Sequence, residues 1–130
     1  MATVYLDTSA VGRVLLEESD AAAILRALGA FEQLVASRLM RVELRRLALR
    51  TDRVVEADQL LAGVALIPLD GDILAAAETI PPTTVATLDA VHLATAVRLS
   101  RAGRLDAVMT YDARLADGAR KHGLSVLSPA

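Results

Sequence analysis

Short, mainly apolar runs recur along this chain, alternating with longer segments of helical character. This alternation is the strongest constraint on the fold. Thr3-Val4-Tyr5-Leu6, Gln33-Leu34-Val35-Ala36, Val64-Ala65-Leu66-Ile67-Pro68, Ala107-Val108-Met109-Thr110 and Leu124 to Leu127 read as five strands. None shows the apolar/polar alternation of a strand with one wet face, so both faces must be covered. Between them lie helical segments: Ala10 to Leu16, Asp20 to Leu28, Ser37 to about Leu49, Asp52 to Leu61, Gly71 to Thr79, Thr87 to Ser100 and Ala113 to Lys121. Ser9, Asp20 and Ser37 are placed to cap the helices that follow them, and Gly29, Gly63, Gly103 and Gly123 to end the preceding ones. The pattern predicts an α/β fold: three α/β/α layers around a central, mainly parallel five-stranded sheet, with residues 1–130 as one domain.

Composition narrows the function classes. Of the 130 residues 54% are hydrophobic but only 2% aromatic, namely Tyr5, Phe31 and Tyr111. The core is therefore aliphatic, and base stacking on an aromatic platform is excluded as the main mode of holding nucleic acid. There is no cysteine, which removes disulfides and thiolate metal sites and suits a cytoplasmic location. No secretory signal and no apolar run near the ~20 residues of a membrane span is visible. The formal net charge is −2, yet six arginines fall between positions 38 and 53, and Lys121 is the only lysine. Arginine suits bidentate contacts to phosphate or carboxylate. Arg46 and Arg50 lie on the same side of their helix as Glu43 and are candidate phosphate contacts, against the plainer reading of a solvated face of weak ion pairs. Leu15, Leu16, Leu25, Leu28, Leu34 and Leu39 supply core, with an exposed patch for a partner among them as the alternative.

Open parallel sheets place their sites beyond the carboxyl ends of the strands. Asp7 stands directly after the first strand and Asp112 two residues past the fourth. Glu43 lies about two turns into the helix after the second strand, bordering its apolar stripe, and Asp89 lies in the first turn of the long helix. Each has a plain reading as a cap, a turn residue or half of a surface ion pair. Together they converge. Two carboxylates about 4 Å apart repel by about 4 kcal/mol at an effective dielectric of 20, so four in one cleft call for protons or cations. Hard oxygen donors without Cys or His select Mg²⁺ or Mn²⁺, and such an ion can activate water against a phosphodiester. His92, in an apolar run, reads as a packing residue, and His122 as favouring a helix C-terminus. Phosphatases with an Asp-x-Asp first turn, receiver domains with a late lysine and dinucleotide-binding folds with a glycine-rich first turn all lack their signatures here.

The ordered set Val4-Tyr5-Leu6-Asp7-Thr8-Ser9-Ala10, Glu43, Leu88-Asp89-Ala90-Val91-His92-Leu93-Ala94-Thr95-Ala96 and Thr110-Tyr111-Asp112 with Gly123-Leu124 spans the chain. In these residues the sequence resembles the PIN-domain ribonucleases, above all the VapC toxins of bacterial and archaeal VapBC toxin–antitoxin pairs. The resemblance implies an endoribonuclease dependent on Mg²⁺ or Mn²⁺, with Asp7, Glu43, Asp89 and Asp112 as catalytic and metal-holding acids. It implies supporting hydroxyls at Thr8 or Ser9 and at Thr110. It further implies a tRNA or rRNA substrate, a cognate VapB-like antitoxin covering the cleft, and a homodimer. The rival from another class is a non-catalytic module of the same fold that binds RNA or antitoxin without cutting; the complete acid set favours the enzyme.

Overall fold

The computed structural model describes residues 2–130. The elements run β1 (Thr3–Leu6), α1 (Thr8–Leu15), α2 (Ala21–Leu28), β2 (Gln33–Ser37), α3 (Arg38–Thr51), α4 (Val54–Ala62), β3 (Ala65–Ile67), α5 (Gly71–Ala77), α6 (Thr87–Arg101), β4 (Ala107–Met109), α7 (Ala113–Lys121) and β5 (Val126–Leu127). Every strand pairing is parallel, and the order across the sheet is β3-β2-β1-β4-β5. The expected fold class and element sequence are borne out.

Both faces of the sheet are covered, as the unalternating strands require. Val4 and Leu6 of β1, Ala36 of β2 and Met109 of β4 pack with α1 to α4, around Ile24, Met40 and Leu44. The intervening residues Tyr5, Val35 and Val108 point the other way, against Leu93 and Val97 of α6 and Leu115 of α7. Helix α5 is sealed by a smaller cluster of Ile73 with Val91 and Ala94. Helix α6 is buried at every position from Ala90 to Val97. Its run of small and apolar residues, with no polar face along that stretch, suits a helix enclosed on all sides.

Local chemistry explains most helix ends. Ser37 caps α3 as expected, its Oγ accepting from the Leu39 N–H at 3.1 Å. Gly103 and Gly123 carry positive φ after α6 and α7, which a glycine adopts without strain. Three expectations are corrected. Ser9 caps nothing; it lies inside α1, whose N-cap is Asp7. Asp20 stands at the N-cap of α2 without a side-chain cap bond: its φ of −92° and ψ of 1° depart from the extended conformation of a cap, and Arg13 engages its Oδ2 at 3.1 Å. Asp52 closes α3 in the left-handed region, φ 55°, instead of opening the next helix; a short polar side chain tolerates that conformation.

Of the leucines singled out, Leu15 is buried at 2% exposure while Leu25 is 52% exposed. Leu25, Leu28 and Leu34 join Ile24, Leu60 and Val64 in lining an open apolar cleft of about 340 Å³.

Leu44 is fully buried and Leu49, on the same helix, is 61% exposed. Chemical denaturation should show Leu44→Ala losing about 2–5 kcal/mol. Leu49→Ala should change stability by less than about 0.5 kcal/mol. Equal losses at the two positions would contradict the packing described.

Candidate active site

The sheet order reverses between β1 and β4, which pair directly through Leu6 and Met109. A crevice forms where neighbouring strands send their chains to opposite sides, and the polar cluster sits at this edge. Asp7 leaves β1 there, its N–H donating to the Met109 carbonyl at 3.1 Å. Thr110, Tyr111 and Asp112 leave β4 beside it. Helix α3 brings in Glu43, and the first turn of α6 brings in Asp89.

Asp7 is only 4% exposed. Its Oδ2 accepts from Ser9 Oγ at 2.6 Å and from Thr110 Oγ1 at 2.7 Å. The Ser9 hydroxyl in turn accepts from the Tyr111 N–H at 2.8 Å, and this is where its capping capacity goes. Glu43 is half-buried; its Oε1 accepts from Thr8 Oγ1 at 2.6 Å and lies 2.7 Å from His92 Nε2. Asp112 caps α7, its Oδ1 accepting from the Leu115 N–H at 2.8 Å. In all three acids one oxygen is anchored by the protein, and the other has no hydrogen-bond partner among the described residues.

The electrostatics tie the acids together. Burial pushes the Asp89 carboxyl up to about 6, and the charges of Asp112, Asp7 and Glu43 push in the same direction. Among the described residues no hydrogen bond relieves it. Burial also works to raise Glu43, but the hydrogen bonds from His92 and Thr8 outweigh it and hold the carboxyl below its usual value. Among the described residues no three of these groups are already drawn into metal-holding geometry.

His92 and Tyr5 belong to this cluster, which corrects the expectation of His92 as a packing residue and adds Tyr5, to which the sequence assigned no site role. His92 is 1% exposed, but it does not merely pack. Its Nδ1 lies 2.7 Å from the Tyr5 hydroxyl, and its Nε2 lies 3.7 Å from Asp7 Oδ1 in addition to the Glu43 contact. Burial drives the Tyr5 phenol far above its ordinary value, so it keeps its proton. The available signal was periodicity. Asp89 and His92 are three apart on a helix and share a face; Tyr5 and Asp7 are two apart about a strand end and share a side of the sheet.

The arginines are arranged unevenly. Arg45 is engaged by Asp58. Arg46 and Arg50 are exposed, one and two turns along α3 from Glu43, and no described carboxylate pairs with them. Arg13 lies 4.3 Å from the centroid of the Tyr111 ring.

A parallel three-layer fold with acids gathered at its switch point defines a class. Residues 4–121 match the model of the PIN domain, and the chain belongs to that family. Within it, the chain is similar to ribonuclease VapC47 of Mycobacterium tuberculosis, at 37% identity covering 97% of this chain and 96% of that one. It is also similar to ribonuclease VapC46 of the same species, at 36% identity over the full length of both. Among solved structures, a toxin–antitoxin complex from Klebsiella pneumoniae matches with a TM-score of 0.75, 20% identity and 98% coverage of each chain. VapC20 of M. tuberculosis, a sarcin–ricin loop cleaving toxin, matches with a TM-score of 0.68, 16% identity and coverage of 88% and 93%. These structural likenesses bear on the fold.

The Asp89 shift carries a sign. Between its ordinary 3.8 and about 6 the folded chain binds more protons than the unfolded one, so stability contributed at this site falls as pH rises through that window. In divalent-free buffer at pH 7.5, Asp89→Asn should be more stable than wild type by ~1 kcal/mol, a figure discounted for partial solvent access. Thermal melts should show the gain vanishing toward pH 4. A variant no more stable at pH 7.5 would contradict the repulsion.

Proposed function

We propose that this chain is a divalent-metal-dependent endoribonuclease and the toxin of a toxin–antitoxin pair. The carrying observation is the convergence of Asp7, Glu43, Asp89 and Asp112 on the β1/β4 edge, close enough for the other three charges to help raise Asp89 to about 6. An all-oxygen donor set with uncompensated negative charge fits Mg²⁺ or Mn²⁺. Asp7, Asp89, Asp112 and Glu43 would hold the ion through the oxygens the protein leaves free. The bound ion would supply an activated water and charge stabilisation at the phosphodiester.

The chain's own groups do the rest. Thr110 and Ser9 fix Asp7, and Thr8 fixes Glu43, so the acids meet the substrate already oriented. Arg46 and Arg50 extend from Glu43's side of α3 and suit contact with RNA phosphates. RNA as substrate is supported by the ribonuclease names of the relatives, and tRNA or rRNA is the substrate class we favour. A VapB-like antitoxin that covers the acids is supported by the toxin–antitoxin complex among the structural neighbours. We further propose a homodimer acting in the cytoplasm. Among the described residues no helix is long and apolar enough to cross a membrane.

Antitoxin-free protein incubated with total tRNA and rRNA should cut RNA in Mg²⁺. EDTA should abolish cutting, and Asp7→Asn should reduce it by about 10²-fold or more. Cleavage surviving both controls would overturn the mechanism. RNA binding with no cleavage under Mg²⁺ or Mn²⁺ would establish the non-catalytic module instead.

A further inference from the structure

The Tyr5–His92 pair forms a directional chain of hydrogen bonds that ends on one oxygen of Glu43. It starts at the backbone N–H of Ser37, which donates to Tyr5 Oη at 3.2 Å. The hydroxyl proton is then free to point at His92 Nδ1, 2.7 Å away. Glu43 Oε1, 2.7 Å from Nε2, is a carboxylate oxygen and only accepts, so Nε2 carries the ring proton. With Nδ1 accepting from Tyr5, the neutral ring has one tautomer that satisfies both ends. Ser37, Tyr5 and His92 are each 1% exposed or less, so water offers no substitute partner.

The origin of the chain is rigid. Ser37 ends β2 and caps α3, the helix that carries Glu43. Tyr5 lies in β1 and His92 on α6. The same bonds therefore lock the three elements that deliver Asp7, Glu43 and Asp89. A purely packing histidine would need none of this directionality; an apolar ring would fill the space.

We propose that Tyr5 and His92 are positioning residues: the bond sequence from Ser37 through Tyr5 and His92, together with Thr8, clamps Glu43 Oε1 so that Oε2 faces the cleft for a divalent cation. The role rests on the metal-dependent reading above. Groups that bond a ligating carboxylate from behind tune metal affinity by about 10–100-fold.

The test is titration of the RNA-free chain with Mn²⁺ alone, with folding checked by circular dichroism. Tyr5→Phe keeps the ring volume and should weaken Mn²⁺ binding about tenfold or more. His92→Phe should do at least as much, and His92→Gln, which retains an N–H donor, should recover part of the loss. In a Glu43→Gln background, His92→Phe should cause no further loss, because its effect passes through Glu43. Imidazole ¹⁵N spectra of the metal-free protein should show a protonated Nε2 and a bare Nδ1, and Tyr5→Phe, which leaves Glu43 Oε1 in place, should keep that tautomer while shifting the Nδ1 resonance. Equal Mn²⁺ affinity in wild type, Tyr5→Phe and His92→Phe, or a loss that persists undiminished in Glu43→Gln, overturns the positioning role while leaving the metal site standing. A wild-type chain that takes up no Mn²⁺ overturns the metal reading and this role with it.

Discussion

A carboxylate at 4% exposure must have its charge compensated within the protein, and the organisation of this molecule follows from how Asp7 is compensated. Two hydroxyls converge on its Oδ2, one from α1 and one from the residue after β4. Its own N–H bonds β4 at the Met109 carbonyl. One side chain and its backbone therefore stitch together the turn after β1, the start of α1 and the end of β4. The strand reversal at β1/β4 creates the crevice; the hydroxyl pair is what permits a charge at its floor.

The alternation of elements was legible because both faces of the sheet are buried. Residues such as Val4, Tyr5 and Leu6 then all become apolar, and no solvent-facing strand residue blurs the signal. Asp7 and Asp112 were legible as candidates because strand ends are where parallel sheets build sites. Glu43 was legible because it borders a stripe whose members, Met40 and Leu44, are fully buried. Ser9 and Asp52 depart from their expected places, and Asp20 keeps its N-cap position without the cap bond, for one shared reason. Each was assigned by its local propensity to cap or open a helix, and each has a partner or a backbone state that only tertiary structure supplies. Ser9 meets Tyr111, 102 residues away, and Asp20 meets Arg13 across a turn. His92 was hidden by composition: its neighbours Val91 and Leu93 are core residues, and only its three-residue spacing from Asp89 marks the ring as facing the acids.

Capping by Asp112 and service at a cation site look like competing roles, and the geometry removes the conflict. A carboxylate has two oxygens. Asp112 gives Oδ1 to the Leu115 N–H, as Asp7 gives Oδ2 to two hydroxyls and Glu43 gives Oε1 to Thr8 and His92. Anchoring one oxygen orients the other, so local structure and site chemistry share each group. Asp89 is the exception. Neither of its oxygens is anchored, and it is the acid of the four whose carboxyl is raised, to about 6. Three acids are held in place by the protein, and Asp89 is the member whose carboxyl responds most to its surroundings. In the metal-dependent reading proposed above, a cation in the cleft would favour its charged form.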